Sequence, residues 1–225
     1  MSDFFREVDE ELRNDRMKAV WTNYGKIIIG VAVLLIAATA GYRYYLHWQE
    51  QQAGAAGDQY LQALDLANDG DRAGARKILD NLAQDGWGGY PILAGLRSAT
   101  TLIAEGKTKE GIDALDALST NSALSGDLQD YARVQAAMAA VDIESFDQIV
   151  TRTGGLLGPE SAWSNFAREA RALAAWKAGN LEEAAKWVQE LKSNDELPQG
   201  MRSRIQIIED LIISRGGKLP STSDS

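Results

Sequence analysis

Cysteine is absent from the 225 residues, and histidine occurs once, at His47. Without thiols the chain can form no disulfide, no thiolate nucleophile and no zinc–thiolate site. One imidazole also excludes histidine-based catalytic triads and His-rich metal sites. Proline occurs only four times, and beyond Gln52 the strand-like alternation of apolar and polar residues is missing. These absences exclude several classes of enzyme and favour a helical chain.

Basic charge is also scarce in most of the chain, whose net charge is −9. Residues 1–45 carry six basic and six acidic side chains, which cancel, while positions 46–225 carry 17 basic and 26 acidic ones. Nucleic-acid binding depends on basic side chains that neutralise phosphates. An acidic chain without a basic cluster is therefore not expected to bind nucleic acid.

One long apolar run, IIIGVAVLLIAATAGYRYY, extends from Ile27 to Tyr45. A helix over this run is about 28 Å long at about 1.5 Å per residue, which matches a hydrocarbon core of about 30 Å. Aromatic rings settle at the headgroup levels of a bilayer, and long basic side chains reach out to them. The residues expected at the two membrane interfaces are Trp21, Tyr24, Lys26, Tyr42, Arg43, Tyr44, Tyr45 and Trp48.

Three interpretations of the apolar run are open. A cleaved signal peptide is suggested by Ala38-Thr39-Ala40, which has the small-x-small form of a cleavage site. A buried helix of a soluble fold is the second. We favour the third, an uncleaved anchor in contact with the lipid bilayer, because the preceding region is long and acidic and the apolar block exceeds a signal's apolar region of about 7–15 residues.

The basic residues around the run indicate its orientation. At the far end of the run, Arg43 is the only basic residue until more than about 25 residues beyond it, and positive charge remains on the cytoplasmic side of a membrane. We therefore expect residues 1–25 in the cytoplasm and the rest exported, which in a bacterium means an inner-membrane anchor and a periplasmic domain. The basic residues before the run are Arg6, Arg13, Arg16, Lys18 and Lys26.

The first 25 residues form a predicted amphipathic helix. Its apolar stripe contains Phe4, Phe5, Val8 and Leu12, at helical spacing. We favour a helix that continues into the span with its stripe on the lipid surface. A docking helix for a cytoplasmic or membrane partner is the alternative.

An internal repeat organises the chain beyond Gln52. Three segments align on a glycine, and the interval between the second and third glycines is close to twice the first interval. A degenerate fourth unit is therefore expected near Val141-Asp142. A period near 36 with two helices per unit is typical of tetratricopeptide-like repeats. The segments are GDRAGARKILDNL from Gly70, GKTKEGIDALDAL from Gly106 and GNLEEAAKWVQEL from Gly179.

The repeat has a physical interpretation. The glycine ends the first helix of each unit (helix A), and the next residue begins the turn into the second (helix B). Small residues seven before and five after the glycine let the two helices approach closely, and apolar residues nine and twelve after it pack on the next unit. The small residues are Ala63, Ala99 and Ala172 before it and Ala75, Gly111 and Ala184 after it; the apolar ones are Leu79, Leu115, Val188, Leu82, Leu118 and Leu191.

The predicted fold is therefore all-α, with a single N-terminal transmembrane helix followed by a tetratricopeptide-like helical-repeat solenoid. A non-repetitive helical bundle is the alternative. The expected domains are a cytoplasmic segment (1–25), a transmembrane helix (26–46), a periplasmic repeat domain (47–215) and a disordered tail (216–225).

Repeat solenoids bind partners on a concave face built from helix A. Projecting the standard repeat onto this register gives a candidate groove, although its apolar members could equally belong to the core. Polar residues, such as Arg168 and Arg171, stand where a standard helix A has a large aromatic residue and a leucine. The candidate groove residues are Tyr60, Leu64, Asn68, Leu96, Thr100, Ile103, Glu169, Leu173, Trp176 and Lys177.

Two further segments carry a family resemblance. The junction GYRYYLHWQEQQ (Gly41 to Gln52) and the block GGYPILAGLRSATTLIAEGKTKEGIDAL resemble the YfgM-like ancillary subunits of the bacterial SecYEG translocon. The resemblance implies a single span and a periplasmic tetratricopeptide-like domain. It also implies Sec translocon subunits, a membrane-anchored periplasmic chaperone and unfolded or newly translocated proteins as partners.

Three classes of function follow. The first is this membrane-anchored binding scaffold, which we favour. The second is a structural scaffold in cell-envelope assembly or division. The third is an enzyme, which we do not expect, because no phosphate loop, nucleotide fingerprint or metal-ligand spacing occurs; no catalytic residue, metal or cofactor is therefore predicted.

Overall fold

The computed structural model describes residues 2–219, and it describes side chains from residue 18 onward except at positions 19, 20, 23 and 28. The secondary structure of the described residues is helical without a strand, which confirms the all-α prediction. The chain divides into two compact units, Met1–Ala55 and Ala56–Ser225. We call the second unit the repeat domain.

Helix α1, Ser2–Asn68, contributes residues to both units. From Tyr24 onward it is long and apolar enough to cross a membrane, by length and composition. The predicted stripe of Phe4, Phe5, Val8 and Leu12 concerns side chains that lie outside the described residues.

Eight further helices follow in the described part of the chain. All lie in the repeat domain, and a short 3₁₀ turn, Gly154–Leu156, follows the sixth helix. They are α2 (Arg72–Asp85), α3 (Tyr90–Ala104), α4 (Thr108–Ser119), α5 (Gly126–Ala140), α6 (Phe146–Thr153), α7 (Ser164–Lys177), α8 (Leu181–Lys192) and α9 (Gln199–Ser214).

The predicted turn glycines are confirmed. Gly70, Gly106 and Gly179 have φ angles of +93°, +83° and +77°, a left-handed conformation that glycine adopts without steric cost. Each ends a helix A, and the next residue is the N-cap of a helix B, namely α2, α4 or α8. The helix pairs are therefore the end of α1 with α2, α3 with α4, and α7 with α8.

The small residues lie where helix A meets helix B, as predicted. Ala63, Ala99 and Ala172 on helix A are at most 1% exposed, and Ala75 and Ala184 on helix B are fully buried. The apolar residues of helix B also belong to the core, including Leu79, Leu115 and Val188. One core cluster joins α3, α4, α5, α6 and α7, and another joins α7, α8 and α9.

The degenerate unit is also confirmed, as the pair of α5 and α6. Ile143 stands one period after Gly106, and its amide donates to the carbonyl of Ala140 at 3.0 Å, as the amide of Gly106 does to Ile103. Helix α6 has only eight residues, and Ser145 and Gln148 begin it with reciprocal capping bonds.

The period continues one step beyond the prediction. Gly216 stands one further period after Gly179 and has a φ of +86°. The amide of Gly217 donates to Ile212 at 3.0 Å, as the amide of Asn180 does to Ala175 at 2.9 Å. Helix α9 is therefore helix A of a fifth repeat.

The end of the chain was predicted to be a disordered tail over residues 216–225. Leu219 packs against the core cluster of α7, α8 and α9. Residues 220–225 lie outside the described residues.

Candidate functional site

An uncovered apolar band lies on α1 in the N-terminal unit. Its described aliphatic side chains are 53–69% exposed. No described side chain of the unit covers these densely spaced aliphatic residues, and a bilayer is the solvent that suits such a surface. They are Ile27, Ile29, Val31, Val33, Leu34, Leu35 and Ile36.

The side chains predicted for the membrane interfaces flank this band and are all exposed. Tyr45 and Trp48 come together, with ring centroids 6.3 Å apart. The side-chain amide nitrogen of Gln49 donates to the Tyr45 hydroxyl at 3.3 Å. The exposed residues are Trp21, Tyr24, Lys26, Tyr42, Arg43, Tyr44, Tyr45 and Trp48.

The candidate groove residues of the first two repeats lie in different environments. Tyr60 is half-buried and pairs with the ring of Tyr90, while Leu64 is half-buried and Asn68 is exposed. In α3, Leu96 is buried in the core. Thr100 and Ile103 of α3 are half-buried. The Thr100 hydroxyl donates to the backbone carbonyl of Arg97 in the same helix, and Ile103 packs against the core cluster that contains Leu96.

The candidate groove residues of α7 also differ in how far they are exposed. Glu169 is only 1% exposed. Leu173 and Trp176 pack partly buried against the core. Lys177 is exposed and its ammonium donates to the carbonyl of Val141 at 2.9 Å. The structure therefore places the predicted apolar groove positions mainly within helix packing.

The buried charge of Glu169 is neutralised from the last helix. Arg204 of α9 donates to both carboxylate oxygens of Glu169, at 2.5 and 2.8 Å. These hydrogen bonds raise the pKa of Arg204. The pair fixes α9 to α7. The sequence does not predict it, because Glu169 is only a candidate groove residue there and no spacing links it to Arg204.

A second cation, Arg152 of α6, joins two neighbouring carboxylates. It donates to both oxygens of Glu144 at 2.7 Å and to Asp116 of α4 at 2.6 Å. The hydrogen bonds to Glu144 raise the pKa of Arg152 most, and the hydrogen bond to Asp116 raises it further. This network fixes the shortened third repeat onto the second.

Arg171 of α7 is buried among three helices. Its guanidinium donates to the hydroxyl of Thr153 at 2.7 Å and the carbonyl of Val150 at 2.9 Å, and it stacks on the ring of Trp187. Burial lowers the pKa of Arg171. Arg171 therefore fills space between α6 and α8, which accounts for an arginine in place of an apolar residue.

Two clefts border the loop between α8 and α9. One, of about 220 Å³, combines basic, amide and aliphatic side chains, and the other, of about 470 Å³, is polar. Among the described residues no group of acidic or histidine side chains could hold a metal ion. The first cleft is lined by Lys192, Asn194, Asp195, Leu197, Arg202, Ile205 and Gln206.

No curated protein and no solved structure matches the chain significantly. The sequence does match the family described as a tetratricopeptide repeat-like domain, over residues 18–207. This range includes the apolar band and all four complete helix pairs. The chain belongs to the tetratricopeptide repeat-like domain family.

Proposed function

We propose that the protein is an inner-membrane scaffold whose repeat domain, on the periplasmic side, assists newly translocated proteins beside the Sec translocon. Its partners would be translocon subunits and a membrane-anchored periplasmic chaperone. It has no catalytic role in this proposal. Tetratricopeptide-like domains act in general by binding proteins, which supports the scaffold.

The apolar band of α1 is the observation that carries the proposal. Among the described side chains between Ile27 and Ile36, seven large aliphatic ones are exposed, and the same helix supplies helix A of the first repeat. An aliphatic surface of this kind is stable in lipid and unfavourable in water. The charge asymmetry around the band supports a cytoplasmic N-terminus.

The partners are supported by the junction Gly41 to Gln52 and by the first complete repeat, which resemble the YfgM-like subunits. A span with small residues could also pack closely against another membrane helix. Both features direct the search for partners to the membrane.

The absence of cysteine permits a direct test of orientation. Lys18→Cys and Ile143→Cys each place one thiol at an exposed position on opposite sides of the band. In spheroplasts, a membrane-impermeant maleimide should label only Ile143→Cys, and Lys18→Cys should react after permeabilisation. The reverse pattern would contradict the proposed orientation.

Partners are tested by a photocrosslinking amino acid at position 36 in the band. The expected adducts contain translocon subunits, identified by mass spectrometry. The same amino acid at position 113, exposed on α4, is the control. Adducts that contain only lipid or abundant unrelated membrane proteins would exclude a role at the translocon.

A further inference from the structure

The five residues that follow α9, RGGKL at positions 215–219, fold back onto α7 and α8, and we call them the strap. The guanidinium of Arg215 donates to the backbone carbonyl of Trp176, near the end of α7, at 3.3 Å. Leu219 packs against the core cluster of α7, α8 and α9. The strap is therefore attached to the repeat that precedes α9.

Two glycines let the strap lie this close. Gly216 has a φ of +86°, which reverses the chain, and the amide of Gly217 donates to the carbonyl of Ile212 at 3.0 Å. A Cβ on Gly217 would lie 2.5 Å from a side-chain carbon of Ile212 and 3.2 Å from the Cβ of Leu181, the first residue of α8. A larger residue at position 217 therefore lifts the strap from α8.

The strap covers one face of Trp176, a candidate groove residue of α7. The guanidinium carbon of Arg215 lies 4.0 Å from the centroid of the indole ring. A cation in this position is attracted by the negative charge of the ring face. A basic side chain of the same chain thus occupies a position that the sequence predicts for a partner.

The strap leaves one polar atom of Trp176 unsatisfied. The indole nitrogen is buried and has no hydrogen-bond partner among the described residues. Buried tryptophan N–H groups ordinarily find an acceptor, and an unpaired one is unfavourable. Trp163, for comparison, donates to the carbonyl of Asp127 at 3.1 Å. An occupant that brings an acceptor to Trp176 therefore gains a hydrogen bond that the strap does not form.

The strap can open without unfolding α9. Its five residues are exposed or half-buried, and none is buried. The cation–π pair is also weak at an exposed site. Opening separates Arg215 from Trp176 and leaves the core of α9 in place. The core residues of α9 that are at most 3% exposed are Met201, Ile205, Ile208 and Ile212.

The composition of the strap indicates what the site accepts. The strap has two basic residues, Arg215 and Lys218, one aliphatic residue, Leu219, and no acidic residue. Positions 46–225 as a whole carry 17 basic and 26 acidic side chains. A basic segment of another protein is therefore attracted to this domain, because opposite charges favour association.

We propose that the strap is an autoinhibitory lid over Trp176 and that a basic segment of a partner protein displaces it. The segment places an arginine or lysine on the indole ring and an aliphatic residue four positions later, as Arg215 and Leu219 do. One of its backbone carbonyls accepts from the indole N–H. This exchange takes place within the repeat domain and does not depend on the translocon.

Fluorine NMR of the full-length protein in detergent, labelled with 5-fluorotryptophan, measures the position of the strap. The Trp176 resonance is the one that disappears in Trp176→Phe. Gly217→Val should shift this resonance, because the added side chain lifts Arg215 from the ring, and Arg215→Gln should shift it with both glycines intact. Gly200→Val is the matched control and should leave the resonance in place, since a Cβ on Gly200 would meet nothing within 4 Å.

A peptide of the strap, acetyl-SRGGKL-amide (residues 214–219), tests displacement. Added to the Gly217→Val protein, it should return the Trp176 resonance toward its wild-type position with a dissociation constant in the millimolar range. The wild-type protein should bind the peptide about tenfold more weakly, because its tethered strap competes at a high effective concentration. A peptide with Arg215→Gln should bind the Gly217→Val protein less tightly than the original peptide does.

An unchanged Trp176 resonance in both Gly217→Val and Arg215→Gln would overturn the cover over the indole. Equal affinity of the peptide for the wild-type and Gly217→Val proteins would overturn the lid. Absence of saturable binding to Gly217→Val would overturn the site for a basic segment. None of these results affects the crosslinking test at position 36, and failed translocon crosslinks leave the peptide results standing, so the two proposals fail separately.

Discussion

Gly111 of α4 lies so close to α3 that a Cβ added to it would be 2.7 Å from the carbonyl oxygen of Ala99. The same Cβ would be 2.6 Å from a side-chain carbon of Ile103. A backbone oxygen within a helix cannot move without displacing the helix. The absence of a side chain at Gly111 therefore sets the distance between helix A and helix B in this repeat.

We predict that Gly111→Ala lowers the free energy of unfolding by about 1–2 kcal/mol, because overpacking outweighs the gain in helix propensity of about 1 kcal/mol. Urea denaturation of the detergent-solubilised protein, followed by circular dichroism, measures the change. Gly95→Ala in α3 is the control. Its Cβ would meet Leu118 at an ordinary 3.5 Å, so we expect about 0.5–1 kcal/mol of stabilisation. A stabilised Gly111→Ala variant would contradict the close approach.

The buried pair of Glu169 and Arg204 gives a second prediction. Arg204→Met leaves the carboxylate of Glu169, which is 1% exposed, without its partner. Because Arg204 itself is about half exposed, we expect the free energy of unfolding to fall by about 2 kcal/mol, which is less than the cost of breaking a fully buried pair. Adding Glu169→Gln removes the stranded charge and should restore at least half of the loss. A double-mutant cycle in urea measures the coupling, and independent, additive effects would show that the pair does not fix α9.

The repeat could be predicted from the sequence because its determinants are local. A glycine at Gly70, Gly106 or Gly179 ends a helix through its own φ angle, and small residues at fixed distances permit close packing. The fifth helix A escaped detection because Glu209 replaces the alanine seven residues before Gly216. A buried carboxylate there is stable only with Lys192, which lies 17 residues earlier in the chain.

The candidate groove was harder to predict, because a shift of one residue rotates a helix face by about 100°. In α3 the exposed side chains are Leu93, Arg97 and Ala104. The projected positions Leu96, Thr100 and Ile103 lie beside this exposed face and pack toward the core. The sequence pattern establishes that a helix has a buried face, whereas the direction in which that face points depends on the neighbouring helices.

Glu105, which follows α3, predicts a dependence of stability on pH. Its carboxylate accepts from Lys107 at 3.0 Å and from Arg76 of α2 at 2.9 Å, and these cations lower its pKa below the ordinary value of 4.5. A group whose pKa is lowered on folding stabilises the folded state above its ordinary pKa. The stabilisation is lost as the pH falls from about 4.5 through the lower pKa of Glu105 in the folded state.

The Glu105→Gln variant should therefore be less stable than wild type at pH 7, and the difference in stability should shrink near pH 3.5. Urea midpoints at the two pH values measure it, and a difference that is constant with pH would exclude this ion pair as the cause.

The apolar band gives the last prediction. Leu34→Asp with Leu35→Asp places two carboxylates at the centre of the proposed span, where each is unfavourable by about 3 kcal/mol and the pair by about 6 kcal/mol. We expect the double variant to leave the membrane pellet on extraction with alkaline carbonate, while the wild-type protein remains in it. Leu61→Asp is the matched control, since Leu61 lies on the same helix and is 60% exposed, close to the 59% of Leu35. This control should remain in the pellet, because Leu61 belongs to the repeat domain. If the double variant also resists extraction, residues 27–45 are not what holds the protein in the membrane.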